Sequence, residues 1–507
     1  MADTVVLDTD LTLDRFVAIA RHGARVEFAP SYADRVRKSR SLVERFLLEN
    51  RLIYGVTTGF GDNYTEVIAA DDAVELQRNI VRSHAVSVGA CLEEEVVRAI
   101  WLMELVGLGK GFSGVRLETL DLIRHLLNTG VCPRVPGEGS VGYLAPEAHM
   151  ALVLMGEGQA TVDGELLGGL DALRRTGAEP VVFGAKEGLA LTNGTHSVTA
   201  IGALAAYDAD RVARHCDLAA AMSFEALKGN TRALDPRLHA LKRHAEQNGV
   251  ARNLSRLLHN SVICARDRGN RLQDPLGLRA VPQMHGAARR VLKNAVQVVC
   301  EELCSVGDNP VIYPEGEDGE VLTGGNFDGT YVGLQADSVV NALAVLAKIS
   351  ERRTDRMVNG HFSGLPAFLA AQPGLHNGYM MLQYTAAALC MELRALAWPA
   401  SADTVPTSAN QEDAVSNAYL AATKAYRAAG KLHYVVAIEL LCAAQALDFL
   451  VPDRPGPATG AMHRTIRAAV PTAEADRAFH ADIGSVREMI RAGTLLAECE
   501  KVTGPLE

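Results

Sequence analysis

The sequence predicts a mainly α-helical protein in which a core of long bundled helices follows a mixed N-terminal domain. Three observations carry that prediction. Aromatic residues make up only 5% of the 507 positions while alanine and leucine abound, a composition that leans toward helix. Downstream of about Ser197, apolar residues recur at helical spacing over long stretches; Val339, Val340, Leu343, Leu346 and Ala347 fall on one face. Upstream, glycine-rich loops alternate with shorter amphipathic segments.

Residues 34–49 and 93–108 read as amphipathic helices, and the glycine-rich stretches 55–61, 107–114 and 137–142 as loops. The β-branched run at 180–183 reads as a short strand. The change of texture divides the chain into an N-terminal mixed domain with the glycine-rich loops, 1–196, and a long-helix core domain, 197–507. Helical patterns in the core cover 279–304, 336–352, 378–397, 411–429 and 432–450, and helix-on-helix packing buries them naturally. The most apolar run, 433–451, still holds Glu439, Gln445 and Asp448. Those groups are costly in a bilayer, so the run reads as a buried bundle helix.

Lys and Arg number 50 against 60 Asp and Glu, a formal charge of −10. Nucleic acids and anionic membranes both demand a basic face, so neither is an expected partner. Nine cysteines are scattered singly without a C-x-x-C pair, which suits free thiols in a reducing cytoplasm, and no signal peptide is visible. The histidines form no H-E-x-x-H or similar cluster, so no metal site is expected.

Taken singly, the motifs leave their meaning open. Gly109-Lys110-Gly111-Phe112-Ser113-Gly114 has the form G-x-G-x-x-G, but residues 99–108 read as helix where a dinucleotide site needs a strand. A glycine-built helix connection is the better account. In Tyr54-Gly55-Val56-Thr57-Thr58-Gly59-Phe60-Gly61, glycines flank a polar turn, so Tyr54 can project toward a ligand; a structural loop fits as well. His84 reads equally as an ordinary satisfied histidine, and Arg279 as a surface cation or a carboxylate clamp. Residues 410–413 have the acids of a helix N-terminus.

Their order is more specific. The Tyr54–Gly61 loop is followed by Gly111-Phe112-Ser113-Gly114-Val115-Arg116, Gly139-Ser140-Val141-Gly142, Leu144-Ala145-Pro146 and Asn193-Gly194-Thr195. Asp308-Asn309-Pro310, Gly324-Gly325-Asn326-Phe327 and Ser408-Ala409-Asn410-Gln411-Glu412-Asp413 complete the series. This set resembles the histidine ammonia-lyase branch of the aromatic amino acid lyase superfamily over nearly the whole chain. The resemblance implies the long-helix lyase fold, a small-molecule substrate and a homotetramer whose active sites are shared between subunits. It implies Tyr54 and Glu412 as catalytic residues, Tyr54 removing the β-proton. His84 and Glu412 match the positions that hold the imidazole ring, Arg279 the carboxylate clamp, and Asn193, Gln273 and Phe327 further pocket positions. An ordinary tyrosine pKa is about 10, so the site is expected to lower that of Tyr54 through positive charge and helix ends.

One departure directs the functional expectation. In the family, Gly-Ser-Val-Gly-Ala-Ser-Gly-Asp-Leu-Ala-Pro holds an Ala-Ser-Gly that cyclises to an electrophilic methylidene-imidazolone. Here Gly142 is followed directly by Tyr143 and Leu144, and Ser140 is followed by Val141 rather than glycine. The expectation is therefore a lyase with no such group and no free cofactor, acting on nitrogen that is already quaternary. Such a chain is similar to ergothionase-type enzymes that release trimethylamine from ergothioneine or hercynine to give a (thio)urocanate. Tyr143 then lines the vacated space as a substrate-binding group, its π face toward the cation, or simply fills the loop. Leu276, Trp398 and Ala414 also depart from the residues usual in histidine ammonia-lyases. The alternative is a histidine ammonia-lyase, releasing ammonia and urocanate, whose cyclised Ala-Ser-Gly is omitted from the sequence as recorded. A binding scaffold without activity is a third reading, against which the retention of Tyr54, Arg279 and Glu412 argues.

Overall fold

Helices dominate the computed structural model, which describes residues 4–69, 72–267, 271–316 and 318–507. Two compact units emerge: residues 1–204, 297–336 and 399–423 form one, and residues 205–296, 337–398 and 424–507 the other.

The first unit begins with β1 (Thr4–Leu7) running parallel to β2 (Arg25–Phe28), joined by α1 (Leu13–His22). The α1 ends follow from sequence: Thr12 accepts from the Arg15 N–H at 3.4 Å, and Gly23 closes the helix in the left-handed region. Then come α2 (Pro30–Leu48), opened by its proline, α3 (Ala73–His84), α4 (Glu94–Leu108) and α5 (Leu117–Thr129). From Val96 to Leu108 every residue of α4 is buried, so it is hydrophobic nearly all round rather than striped. The Gly109–Gly114 segment connects α4 to α5 by turns, as a helix connection should. At Gly109 a Cβ would stand 1.9 Å from the Tyr32 ring, whose hydroxyl donates to the Leu105 carbonyl at 2.7 Å; only glycine fits that approach.

Small antiparallel pieces follow. β3 (Val88–Cys91) pairs with β5 (Pro136–Glu138), and β4 (Cys132–Pro133) with β6 (Gln159–Val162), which pairs with β7 (Glu165–Gly168). α6 (Pro146–Leu154) is opened by its proline, and α7 (Gly169–Arg175) and α8 (Glu187–Thr192) come next. Residues 180–183 are not a strand: the Val181 N–H donates to the Leu154 carbonyl and no ladder partner lies alongside among the described residues. The Glu187 carboxylate anchors α8 by accepting from the Arg116 N–H at 2.9 Å, Thr119 at 2.6 Å and the Gly184 N–H at 2.7 Å. β8 (Val311–Tyr313) and β9 (Glu320–Leu322) form a final hairpin, whose Ile312 joins Val43, Phe46, Ile53 and Val56 in the core beneath the Tyr54 loop.

The second unit is held by buried charge networks on its helices. Glu439 accepts from Arg353 at 2.5 and 2.8 Å, from Ser223 at 2.6 Å and from Ser350 at 2.6 Å, so both carboxylate oxygens are satisfied. Asp217 likewise meets His285 at 2.7 Å and Arg289 at 2.9 Å. The helices predicted at 411–429 and 432–450 are one continuous element, Ala418–Asp448, while 411–417 are not helical. Gly430 sits within it with open space around its Cβ position and does not break it. This helix and Thr330–Val358 are long and apolar enough to cross a membrane, but both are mostly buried within the protein, as the core helices of a bundle are.

Candidate active site

The first unit gathers six of the predicted residues around one cavity of about 1230 Å³: Tyr54, His84, Tyr143, Asn193, Phe327 and Glu412. Each is set there by a local cause.

Tyr54 lies on a turn tied by Thr57, which accepts from the Ile53 N–H at 2.8 Å and donates to the Arg51 carbonyl at 2.8 Å. Gln77, buried on α3, donates to the Gly55 carbonyl at 3.2 Å and accepts from the Leu189 N–H at 3.1 Å, clamping the turn to α8. The Gly61 N–H donates to the Tyr54 hydroxyl at 3.0 Å. A Cβ on Gly61 would stand 2.3 Å from the Ser408 Oγ at φ +55°, so the Tyr54 loop and the Glu412 loop touch through a glycine. Burial, with a smaller contribution from the Glu412 charge, pushes the Tyr54 phenol above its ordinary value, and the Gly61 N–H only partly opposes it. That is opposite to the expected lowering: the group facing this phenol within the unit is an anion.

His84 ends α3, its Nδ1 2.8 Å from the Ile80 carbonyl. A proton on Nδ1 satisfies that carbonyl and leaves Nε2 as an acceptor, and burial lowers the imidazole pKa so that the neutral form is held. Asn193 follows α8 and donates to the Asn309 carbonyl at 3.2 Å. The adjacent Asp308 is fixed by the buried Lys186 ammonium at 2.7 Å, a pair the sequence reading did not single out.

Glu412 does not begin a helix. Thr407 and Glu412 face each other in a β-bridge, and Ser408, Ala409 and Asn410 between them are all left-handed, at φ 49°, 53° and 67°. Three such non-glycine residues cost about 1–2 kcal/mol each, so the surrounding structure imposes this turn. Glu412 Oε2 accepts from the Tyr143 hydroxyl at 3.1 Å and from Thr407 Oγ1 at 3.0 Å. The Tyr143 ring meets Phe327 edge-on, centroids 4.9 Å apart. Burial, then the Glu412 charge, raises the Tyr143 phenol well above its ordinary range, so it stays a donor.

Gln273 and Arg279 belong to the second unit. There Arg279 Nε donates to the Asp274 carbonyl at 2.9 Å, and the Gln273 amide oxygen, turned toward the guanidinium, accepts from Arg279 Nε at 3.0 Å. Both line a smaller cavity of about 400 Å³ with Asn230 and Arg232.

At the 139–146 loop, Ser140 Oγ lies 3.1 Å from the carbonyls of both Tyr143 and Leu144, and Leu144 and Ala145 have positive φ, 67° and 75°, just before α6. Non-glycine residues in that region store strain of order 1–3 kcal/mol each, as is common beside reactive sites.

A phenol, a neutral imidazole and a braced carboxylate around one cavity of a long-helix protein are the equipment of a lyase: a base, and acceptors for a polar ring. The chain belongs to the aromatic amino acid lyase family, whose model matches residues 11–468. It is 47% identical over 508 residues to a histidine ammonia-lyase of Symbiobacterium thermophilum, covering 100% of both chains. The crystal structure of histidine ammonia-lyase from Trypanosoma cruzi superposes with a TM-score of 0.92 at 36% identity, over 98% of this chain and 95% of that one. Ergothionase from Treponema denticola has the same fold, TM-score 0.89, at 26% identity over 97% of this chain and 100% of that one.

These comparisons correct two expectations. Trimethylamine release from a histidine betaine does not stand, because the full-length relative at 47% identity is a histidine ammonia-lyase while the ergothionase shares only 26%. The expectation that the site does without a methylidene-imidazolone falls with it, since histidine ammonia-lyases build that group from their own chain at this loop. The residues of this loop do not themselves fit it: Gly142 is bonded to Tyr143, whose ring packs on Phe327, and no Xaa-Ser-Gly occurs between Gly139 and Pro146.

Proposed function

We propose that this protein is a histidine ammonia-lyase, eliminating ammonia from histidine to form urocanate. The observation that carries the reading is full-length identity of 47% to an enzyme of that name. The cavity supports it: His84 Nε2 and Glu412 offer two acceptors for an imidazole ring beside the Tyr54 oxygen. Tyr54 takes the proton from Cβ, the Cα–N bond breaks, the electron pair of the C–H bond becomes the new double bond, and ammonia departs. The Tyr54 base works as phenolate, so the raised pKa of the isolated chain must be met by alkaline pH or by cationic groups brought in on assembly. Arg279, supported by Gln273, is the group suited to both tasks: its planar fork clamps the substrate carboxylate and its charge favours a phenolate nearby. In this reading the enzyme is a cytoplasmic homotetramer, and a neighbouring copy supplies Arg279 and Gln273.

Purified protein is incubated separately with histidine, hercynine and ergothioneine. Urocanate is followed by absorbance, ammonia by a coupled assay and trimethylamine by NMR. Equimolar ammonia and urocanate from histidine are expected; trimethylamine from the betaines with no ammonia from histidine overturns the reading. Intact mass against the 507-residue sequence shows directly whether a cyclised tripeptide is present.

A further inference from the structure

The Glu412 carboxylate is held asymmetrically. Both of its side-chain donors, Tyr143 Oη at 3.1 Å and Thr407 Oγ1 at 3.0 Å, go to Oε2. Among the described residues no donor reaches Oε1. The Thr407 hydroxyl cannot easily leave this position. Its backbone N–H donates to the Glu412 carbonyl at 2.8 Å, the Glu412 N–H donates back to the Thr407 carbonyl at 3.3 Å, and the three left-handed residues close the turn between them. One bridge further out, Thr404 Oγ1 accepts from the Val415 N–H at 2.7 Å and donates to its carbonyl at 3.0 Å, fixing the base of the loop. The carboxylate is thus tethered to its own loop by a side chain three residues before the acid-rich stretch 410–413 that draws attention in the sequence.

Two donors on one oxygen fix the carboxylate plane and leave the other oxygen with its lone pairs unspent. An unbraced glutamate would sample several rotamers and would lose that ordering again on binding. We propose that Thr407 is a positioning residue: its hydroxyl holds Glu412 so that Oε1 is the acceptor for a ring N–H of the ligand, and it thereby sets a preference for imidazole over phenyl side chains. This rests on the proposed reading only in taking the ligand ring to be an imidazole.

The test measures binding, so it does not depend on turnover. Affinities of the full-length protein for imidazole-4-propionate and 3-phenylpropionate are measured by calorimetry for the wild type, Thr407→Val and Thr407→Ser. Valine keeps the shape and removes the hydroxyl; serine keeps the hydroxyl. Thr407→Val is expected to lose about ten- to a hundredfold in affinity for the imidazole probe, the worth of a hydrogen bond to an ionised group. The phenyl probe is expected to bind unchanged, and Thr407→Ser to stay within about threefold of wild type. Equal imidazole affinity in Thr407→Val overturns the proposal, as do parallel losses for both probes, an equally impaired Thr407→Ser, or a wild type that binds no imidazole probe. A wild type that binds the probe selectively but releases no ammonia from histidine leaves Thr407 in its role and refutes the enzymatic reading instead.

Discussion

The phenol of Tyr143 donates to Oε2 of Glu412 across 3.1 Å, joining the loop ahead of α6 to the turn that carries the acid. Two segments 269 residues apart in sequence meet at that bond. It makes Tyr143 part of the machinery that holds Glu412, in addition to packing on Phe327.

Tyr143→Phe keeps the ring against Phe327 and removes only the donor. Because Thr407 still serves the same oxygen, the loss is expected at the low end for a hydrogen bond to a charged group, about 1.5 kcal/mol, read as unfolding free energy in urea. Tyr143→Ala adds the cost of the lost ring packing and is expected to reach about 3–5 kcal/mol. Equal destabilisation by the two variants would show that the hydroxyl, not the ring, supports the loop.

Tyr54 is raised by burial and by the negative charge of Glu412. In the proposed role of phenolate base it gains activity as pH climbs, so the rate is expected to be rising still at pH about 9, short of the ordinary tyrosine value near 10. Glu412→Gln removes the charge that disfavours the phenolate, so the alkaline limb of whatever activity remains moves to lower pH. The pH profile of kcat/KM in both proteins is the check; a limb that stays in place or moves upward contradicts the assignment.

Much of this arrangement was legible in the sequence, and the exceptions have physical causes. Long apolar periodicity marked the core helices because burial of one face is written in the spacing. The stretch 411–417 broke that rule because the left-handed residues 408–410 are set by the Thr407–Glu412 bridge and by Gly61 against Ser408, contacts that no local pattern encodes. The pair Val181–Val182 has strand-forming residues, but among the described residues no neighbouring strand pairs with them. Tyr54, Asn193, Phe327 and Glu412 lie within the ordered motifs, whereas His84 lies in none of them and was reached only as a position that the resemblance matches. Thr407 and Gln77 were missed; Thr407 directly precedes the Ser408–Asp413 motif, its only signal, and Gln77 has none beyond being a polar residue on the buried face of α3. The direction of the Tyr54 shift depends on burial and on an anion brought from far along the chain, so sequence alone pointed the wrong way. The Gly142–Tyr143 departure is local, whereas the likeness to a histidine ammonia-lyase spans the whole chain at 47% identity, and it is the latter that overturns trimethylamine release.

Glu147, on the first turn of α6, is buried beside Glu104, and its carboxyl is pushed up to about 7 by that burial, while Glu147 Oε1 accepts from the Ser197 N–H at 2.8 Å. The folded chain therefore keeps a proton that the unfolded chain releases above about pH 4.5. The stability held by neutral Glu147 is complete below that pH and is lost as pH rises through about 7, a change of order 3 kcal/mol. Thermal melts from about pH 5 to 8 are expected to fall more steeply for the wild type than for Glu147→Gln, which keeps an acceptor for Ser197 without a charge. Parallel curves would show that Glu147 does not titrate in this range.

The most direct test of the account is the rate of ammonia release from histidine by Tyr54→Phe, measured beside the wild type with matched circular dichroism melts. A base at this position predicts a fall of at least about a hundredfold with the fold unchanged. A folded Tyr54→Phe that releases ammonia at close to the wild-type rate would contradict it.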